Sequence, residues 1–233
     1  MKLPQIDLPL FETKLPSTGE AVKYRPFTVK EEKILLIAQE SQDSQQMVLA
    51  MSQIITNCCP NIDVSTLPMF DLEYIMLQIR AKSVNNQITF TVSDPDTDMP
   101  VEIVLDVEDI ILKKHDDHSR EITITEDMYL MMRYPRLDEV SIFMNYASDN
   151  TKTLFDVMIA CIETVVVGDE VQKLSDYSKD EVDAFIETFP GDALTSLQKF
   201  FETIPTLRFE TSYTNSEGVE KEIVLEGTET FFL

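Results

Sequence analysis

The chain has 233 residues, with 42 acidic side chains against 19 basic ones and a formal net charge of −23 at pH 7. That field repels phosphate backbones and anionic headgroups, which argues against nucleic acid and membrane surfaces as partners and favours basic or hydrophobic protein surfaces. Disorder is not implied, because 43 % of the residues are hydrophobic and 13 are Phe, enough to build a core.

Five glycines argue against phosphate-cradling loops, which need glycine for close backbone approach. The three cysteines, Cys58, Cys59 and Cys161, make no disulfide framework, and a reducing compartment is expected. The opening MKLPQIDLPLFETK is interrupted by Pro4, Asp7 and Pro9 and does not read as a secretory signal. No apolar run approaches the roughly 18 residues of a membrane span.

In chain order, Phe11–Phe27 predicts two short strands around Pro16-Ser17-Thr18-Gly19. Thr28-Val29-Lys30-Glu31 is a capping box opening a helix with Ile34, Leu35, Ile37 and Ala38. A polar patch at Ser41–Gln46 separates it from a second helix, Met47–Asn57, which Pro60 stops. Phe70–Ser83 is a third helix, apolar beyond one face and expected to be buried on two sides. Alternation then predicts strands around Ile88–Val92 and Val101–Leu105, joined by a turn at Asp94–Pro100. Short strands at Ile110–Lys113 and Ile122–Thr125 are expected to extend the same sheet.

From Asp127 to Pro205 the pattern reads as helical. Leu154, Phe155, Met158, Ile159, Ile162 and Val165 form one stripe of period 3.6. Ser178-Lys179-Asp180-Glu181 is a second capping box, and Asp192 is expected to cap a last helix ended by Pro205. Leu207–Tyr213 and Val219–Leu225 flank Asn215–Gly218 as a terminal hairpin. The expected fold class is α+β, a mainly helical body with antiparallel β-hairpins at the N-terminus, in the centre and at the C-terminus. The expected divisions are 1–84, a β-rich insert over 85–126, and 127–233, with one compact unit as the alternative.

Three clusters invite chemistry. His115-Asp116-Asp117-His118 could set two imidazoles on one helical face for a transition metal, or lie in an exposed loop. Asp94, Asp96 and Asp98 have calcium-loop spacing, but the glycine and glutamate of that template are replaced by Met99 and Leu105, so an acidic hairpin tip is the simpler reading. Cys58-Cys59 has no thiolate-stabilising charge beside it in sequence and reads as packing. Nucleotide-binding glycine motifs, nucleophile elbows and zinc-protease motifs are absent from the sequence, so no enzyme, metal or cofactor is expected. Phe231, Phe232 and Leu233 need burial, either on the protein's own hairpin or as an anchor for a partner.

The string Tyr24-Arg25-Pro26-Phe27-Thr28-Val29-Lys30-Glu31-Glu32-Lys33-Ile34-Leu35-Leu36 resembles the baseplate protein family of T4-like contractile-tailed phages, in its hub subunit group. A second similar stretch, Leu67-Pro68-Met69-Phe70-Asp71-Leu72-Glu73-Tyr74, runs on to Arg80-Ala81-Lys82-Ser83-Val84. Tyr134-Pro135 and the Phe-Phe ending fit the same pattern. The resemblance carries Arg25, Pro26, Phe27, Lys30, Glu31, Glu32, Phe70, Asp71, Tyr74 and Arg80 as a motif core. Cysteines that relatives carry in the β insert are missing from Asn85–Asp109, so the resemblance brings no zinc site here. It implies a non-enzymatic tail morphogenesis protein that assists or forms part of the baseplate hub. Its partners would be other hub proteins or the tape-measure protein, met in the host cytoplasm during assembly or in the virion tail. A permanent virion subunit and a metal-dependent hydrolase are the alternatives.

Overall fold

The computed structural model describes residues 6–137 and 151–226, and the α+β class is as expected. By internal contacts the chain forms two units. The first comprises Met1–Lys113 with Thr206–Leu233, and the second is Lys114–Pro205. The cuts expected at 84 and 126 fall inside the first and second unit respectively.

In the first unit, β1 (Phe11–Lys14) and β2 (Ala21–Tyr24) pair antiparallel across the expected turn, where Gly19 takes φ +75°. Glycine enters that region without a Cβ penalty. Then α1 (Val29–Ser41) begins at Thr28, whose capping box with Glu31 is fully formed. Next, α2 (Ser44–Cys58) starts earlier than expected, because Asp43 caps it by accepting from the Gln45 amide at 2.8 Å. Pro68 precedes α3 (Met69–Ser83). Met47, Met51, Ile54 and Ile55 of α2 and Leu72, Ile75, Met76, Leu77 and Ile79 of α3 are fully buried. Burying each such side chain is worth about 1.5–3 kcal/mol, so this helix pair is the unit's main apolar mass. The two-sided burial expected of α3 is met by packing against α2 and against β10.

The central hairpin, β3 (Gln87–Ser93) and β4 (Pro100–Asp106), pairs in register from Gln87↔Asp106 to Ser93↔Pro100. It stays two-stranded, contrary to the expectation that later strands extend it. The Asp106 carboxylate accepts from the Glu108 amide at 3.0 Å and starts a 3₁₀ turn over Val107–Asp109, which redirects the chain. As a result β5 (Ile111–Lys113) pairs with β10 (Thr206–Thr214), and β11 (Glu220–Glu226) completes a sheet of order β11-β10-β5.

The second unit therefore leaves and rejoins the first at two facing residues, Lys113 and Thr206. It carries β6 (Glu121–Thr125), β7 (Met128–Met132), α4 (Thr151–Ala160), β8 (Ile162–Val167), β9 (Glu170–Lys173), α5 (Lys179–Ile186) and α6 (Gly191–Glu202). Its sheet has order β6-β7-β8-β9, entirely antiparallel. The expected continuous helical pattern is thus corrected. The apolar stripe ends at Ala160, and Thr164, Val165, Val166 and Val167 continue as a strand because β-branched side chains suit a pleated surface. Gly168, at φ +58°, closes the β8–β9 turn. Pro190, not Asp192, stands at the cap of α6, and α6 stops at Glu202, before Pro205. One sheet face, with Ile122, Leu130, Met132, Ile162 and Val165, packs on Val157, Met158, Leu197 and Phe200 from α4 and α6.

Candidate functional site

The two strings that carry the family resemblance meet in the first unit as a polar clasp. Glu31 is 1 % exposed and faces Arg25, whose two terminal nitrogens donate to its carboxylate oxygens at 3.2 and 3.4 Å. The Thr28 amide and hydroxyl donate to the same carboxylate at 2.9 and 2.6 Å. Burial opposes ionisation of Glu31, but the Thr28 hydroxyl and the Arg25 guanidinium overcome it and hold the pKa down at about 2. Backbone bonds tie this corner to other helices: Arg25 N–H donates to the Cys58 carbonyl at 3.1 Å, and Phe27 N–H to the Ser83 hydroxyl at 2.8 Å. Pro26 contributes its carbonyl as a further acceptor for Arg25, at 2.9 Å. Lys30 and Glu32 point to solvent.

The second string docks the first hairpin. Asp71 is fully buried on α3 and accepts from the Ser17 amide at 3.0 Å and from the Ser17 hydroxyl. Here burial dominates, and the Asp71 pKa is raised. The Tyr74 hydroxyl lies 3.2 Å from that of Thr13, Lys82 sits 5.8 Å from the Phe11 ring, and Phe70 is buried. Arg80 is half-buried, and desolvation lowers its pKa. Cys58 and Cys59 are buried, and burial pushes their thiols up to about 11 and about 12. Thiols that seldom ionise are poor nucleophiles and poor metal ligands.

The aspartate triplet is a latch within the same unit. Asp94 is 0 % exposed and accepts from the amides of Asp96 and Thr97 at 3.1 and 3.0 Å, and from the Tyr213 hydroxyl at 2.8 Å. The Lys221 ammonium approaches it to 3.2 Å and also meets Asp96. Burial opposes its ionisation, yet the Tyr213 hydroxyl, the turn amides and Lys221 hold its pKa well below the usual carboxylate range. An internal ammonium therefore stands where a calcium loop would hold its cation. Tyr213 and Lys221 lie 119 and 127 residues from Asp94, so no local pattern announces the latch.

In the second unit, the His-x-x-His string is a turn, with His118 N–H donating to the His115 carbonyl at 3.1 Å, and not the helical face that metal binding would use. The His118 ring nitrogens lie 2.9 Å from the Thr203 hydroxyl and 3.1 Å from that of Tyr134. The ring stacks on Tyr134 and Phe200 at centroid distances of 5.7 and 5.3 Å. Asp117 pairs with Lys199 at 2.8 Å. Among the described residues no three His, Cys, Asp or Glu side chains converge as a metal site.

Burial lowers the His118 pKa, so charging this ring costs folding free energy. Stability on its account is full above the unfolded value near 6.5 and is lost as pH falls below it. Thermal melts at pH 7.5 and 5.5 should show a larger fall for the native chain than for His118→Gln. Equal falls would mean that His118 does not titrate with folding.

What remains for partners is surface. On α1, Val29, Leu36 and Ile37 point outward while Leu35 and Ala38 point inward, which leaves this helix apolar on two sides. Leu49 of α2 is exposed as well. The second unit has an apolar groove between β8–β9 and α5, and a wider cleft of about 650 Å³ where Lys179 pairs with Asp156 at 3.3 Å. Phe231, Phe232 and Leu233 lie outside the described residues. No helix among the described residues is long and apolar enough to cross a membrane.

No curated protein and no solved structure matches this chain. The family described as T4 bacteriophage base plate protein matches from residue 8 to residue 233 and so takes in both polar strings, the aspartate latch and the inserted unit alike. With nearly the whole sequence inside that match, the chain belongs to the T4 bacteriophage base plate protein family.

Proposed function

We propose that the chain is a non-enzymatic tail morphogenesis protein that assists or forms part of the central hub of the baseplate by binding hub proteins, the tape-measure protein or both. The family match over residues 8–233 carries this reading. The structure supports its binding character. The buried carboxylates Glu31, Asp71 and Asp94 and the His118 ring spend their polar atoms on internal partners, while apolar side chains on α1 and β9 face solvent. Dense negative charge keeps such a surface soluble in the host cytoplasm until a partner covers it.

A tagged chain expressed during infection should co-purify with hub or tape-measure proteins, identified by mass spectrometry. Recovery of the tagged chain with no tail protein would overturn the reading. We assign Phe231, Phe232 and Leu233 to an apolar anchor for that complex. Their deletion should abolish co-purification and leave the thermal melt unchanged, and a deletion that binds normally removes the anchor. Stoichiometric presence in purified particles would make the protein a permanent subunit of the tail. Presence only in assembly intermediates would make it a transient factor.

A further inference from the structure

Strand β9 ends the second unit's sheet, and among the described residues no strand pairs with its outer side. All four of its residues are exposed. The two-residue turn Gly168-Asp169 makes Val167 and Glu170 the first facing pair. In antiparallel alternation, Val167–Glu170 and Val165–Gln172 then exchange hydrogen bonds with each other, while Val171 and Lys173 turn their N–H and C=O groups outward. Two donors and two acceptors therefore stand at the spacing of a missing neighbour strand.

Alongside lies the apolar groove, about 260 Å³, walled by Val165, Val167, Leu174, Tyr177, Val182 and Phe185. On either side of the strand, Val167 is 43 % and Val171 65 % exposed. A strand laid along β9 would send alternate side chains toward the groove and toward the opposite sheet face, where Val171 stands. Proteins normally blunt bare edges with lysine, proline or a bulge. Strand β9 carries one such lysine, Lys173, but its surroundings are acidic. Between Asp169 and Glu181, Asp169, Glu170, Asp176, Asp180 and Glu181 stand against Lys173 and Lys179, and Lys179 is already paired with Asp156 at 3.3 Å. A second copy of the chain would bring the same acidic flank and a further −23 of net charge, which opposes edge-to-edge self-pairing.

We propose that β9 and its adjoining groove form a strand-addition site for an extended, basic segment of a partner protein whose apolar side chains alternate. The inference rests on the reading of this chain as one that works by binding other proteins. Its test uses synthetic peptides, so it can fail while co-purification with tail proteins stands, and the reverse.

The probes are a short peptide of alternating lysine and valine, labelled for fluorescence anisotropy, and its glutamate–valine counterpart, each titrated into the full chain at low and high salt. The lysine peptide should bind saturably, at least about tenfold more tightly than the glutamate peptide, and lose affinity as salt rises. Val171→Pro removes one outward donor and leaves the β8–β9 ladder intact, so it should weaken binding about tenfold, the loss of one hydrogen bond, with an unchanged thermal melt. In the unsubstituted protein, amide exchange at Val171 and Lys173 should slow when the peptide is bound, which tests the site without any substitution. Equal binding of the two peptides would overturn the proposal. So would protection that maps away from β9, undiminished binding by a folded Val171→Pro, or a chain dimer that Val171→Pro dissolves.

Discussion

Replacing Glu31 by Gln should destabilise the first unit by about 3 kcal/mol at pH 7, measured as a shift of the urea midpoint at constant slope. The magnitude comes from linkage. A carboxyl whose pKa falls from 4.5 unfolded to about 2 folded gains about 3 kcal/mol from being ionised in the folded chain. Glutamine can still accept from the Thr28 amide, but it brings an amide donor against the donors of Arg25 and leaves a guanidinium without its counter-charge. The sign sets the pH window. Because the folded pKa is depressed, the contribution is complete above 4.5 and fades as pH falls toward about 2. The native and Glu31→Gln chains should therefore draw together in stability as pH falls from 4.5 to about 2. A difference that persists undiminished there would mean that the charge on Glu31 is not what stabilises the corner.

Asp71 should respond in the opposite way to the same kind of substitution. Its folded pKa is raised by burial, so its ionised form is the costly one, and stability on its account falls as pH rises through that value. Asp71→Asn keeps an acceptor for the Ser17 amide and can donate to the Ser17 hydroxyl, so it should lie within about 1 kcal/mol of the native chain at pH 7, on either side. Asp71→Ala leaves the Ser17 amide without its acceptor and should cost about 2 kcal/mol. A loss for Asp71→Asn as large as that for Asp71→Ala would show that the charge itself holds the first hairpin to α3. Both carboxylates are buried, and their surroundings separate them. Glu31 has a guanidinium beside it, whereas Asp71 has an amide and a hydroxyl.

That contrast marks how far the sequence could be read. Signals that act within four residues were legible: both capping boxes form as expected, with Ser178 and Glu181 meeting at 2.7 Å, and the turns at Pro16–Gly19 and Asn215–Gly218 close hairpins. Where period 2 and period 3.6 share a short window, the helical reading of Ile162 and Val165 hid strand β8. Pairings that depend on distant chain were invisible, among them β5 with β10 and Asp94 with Lys221. Within the two strings, Arg25, Phe27, Asp71 and Tyr74 make joints between the first hairpin, its exit and the helices, while Lys30 and Glu32 stay exposed. Sequence could not show that, because the partners lie far apart along the chain, as Phe27 and Ser83 or Ser17 and Asp71 do.

The placement of the second unit between two facing residues, Lys113 and Thr206, has a consequence for synthesis on the ribosome. The side of α3 that β10 covers is made long before β10 exists. At about 5–20 residues per second, the ribosome needs on the order of 5–20 s to deliver the intervening chain. Until then the side of α3 that β10 covers stays open, whereas the inserted unit has its described strands and helices in hand as soon as Glu202 is made, before β10 begins. The first unit to begin is thus the last to close. Its completion waits on the return of the chain at Thr206, so vectorial synthesis makes the inserted unit the earlier finished body.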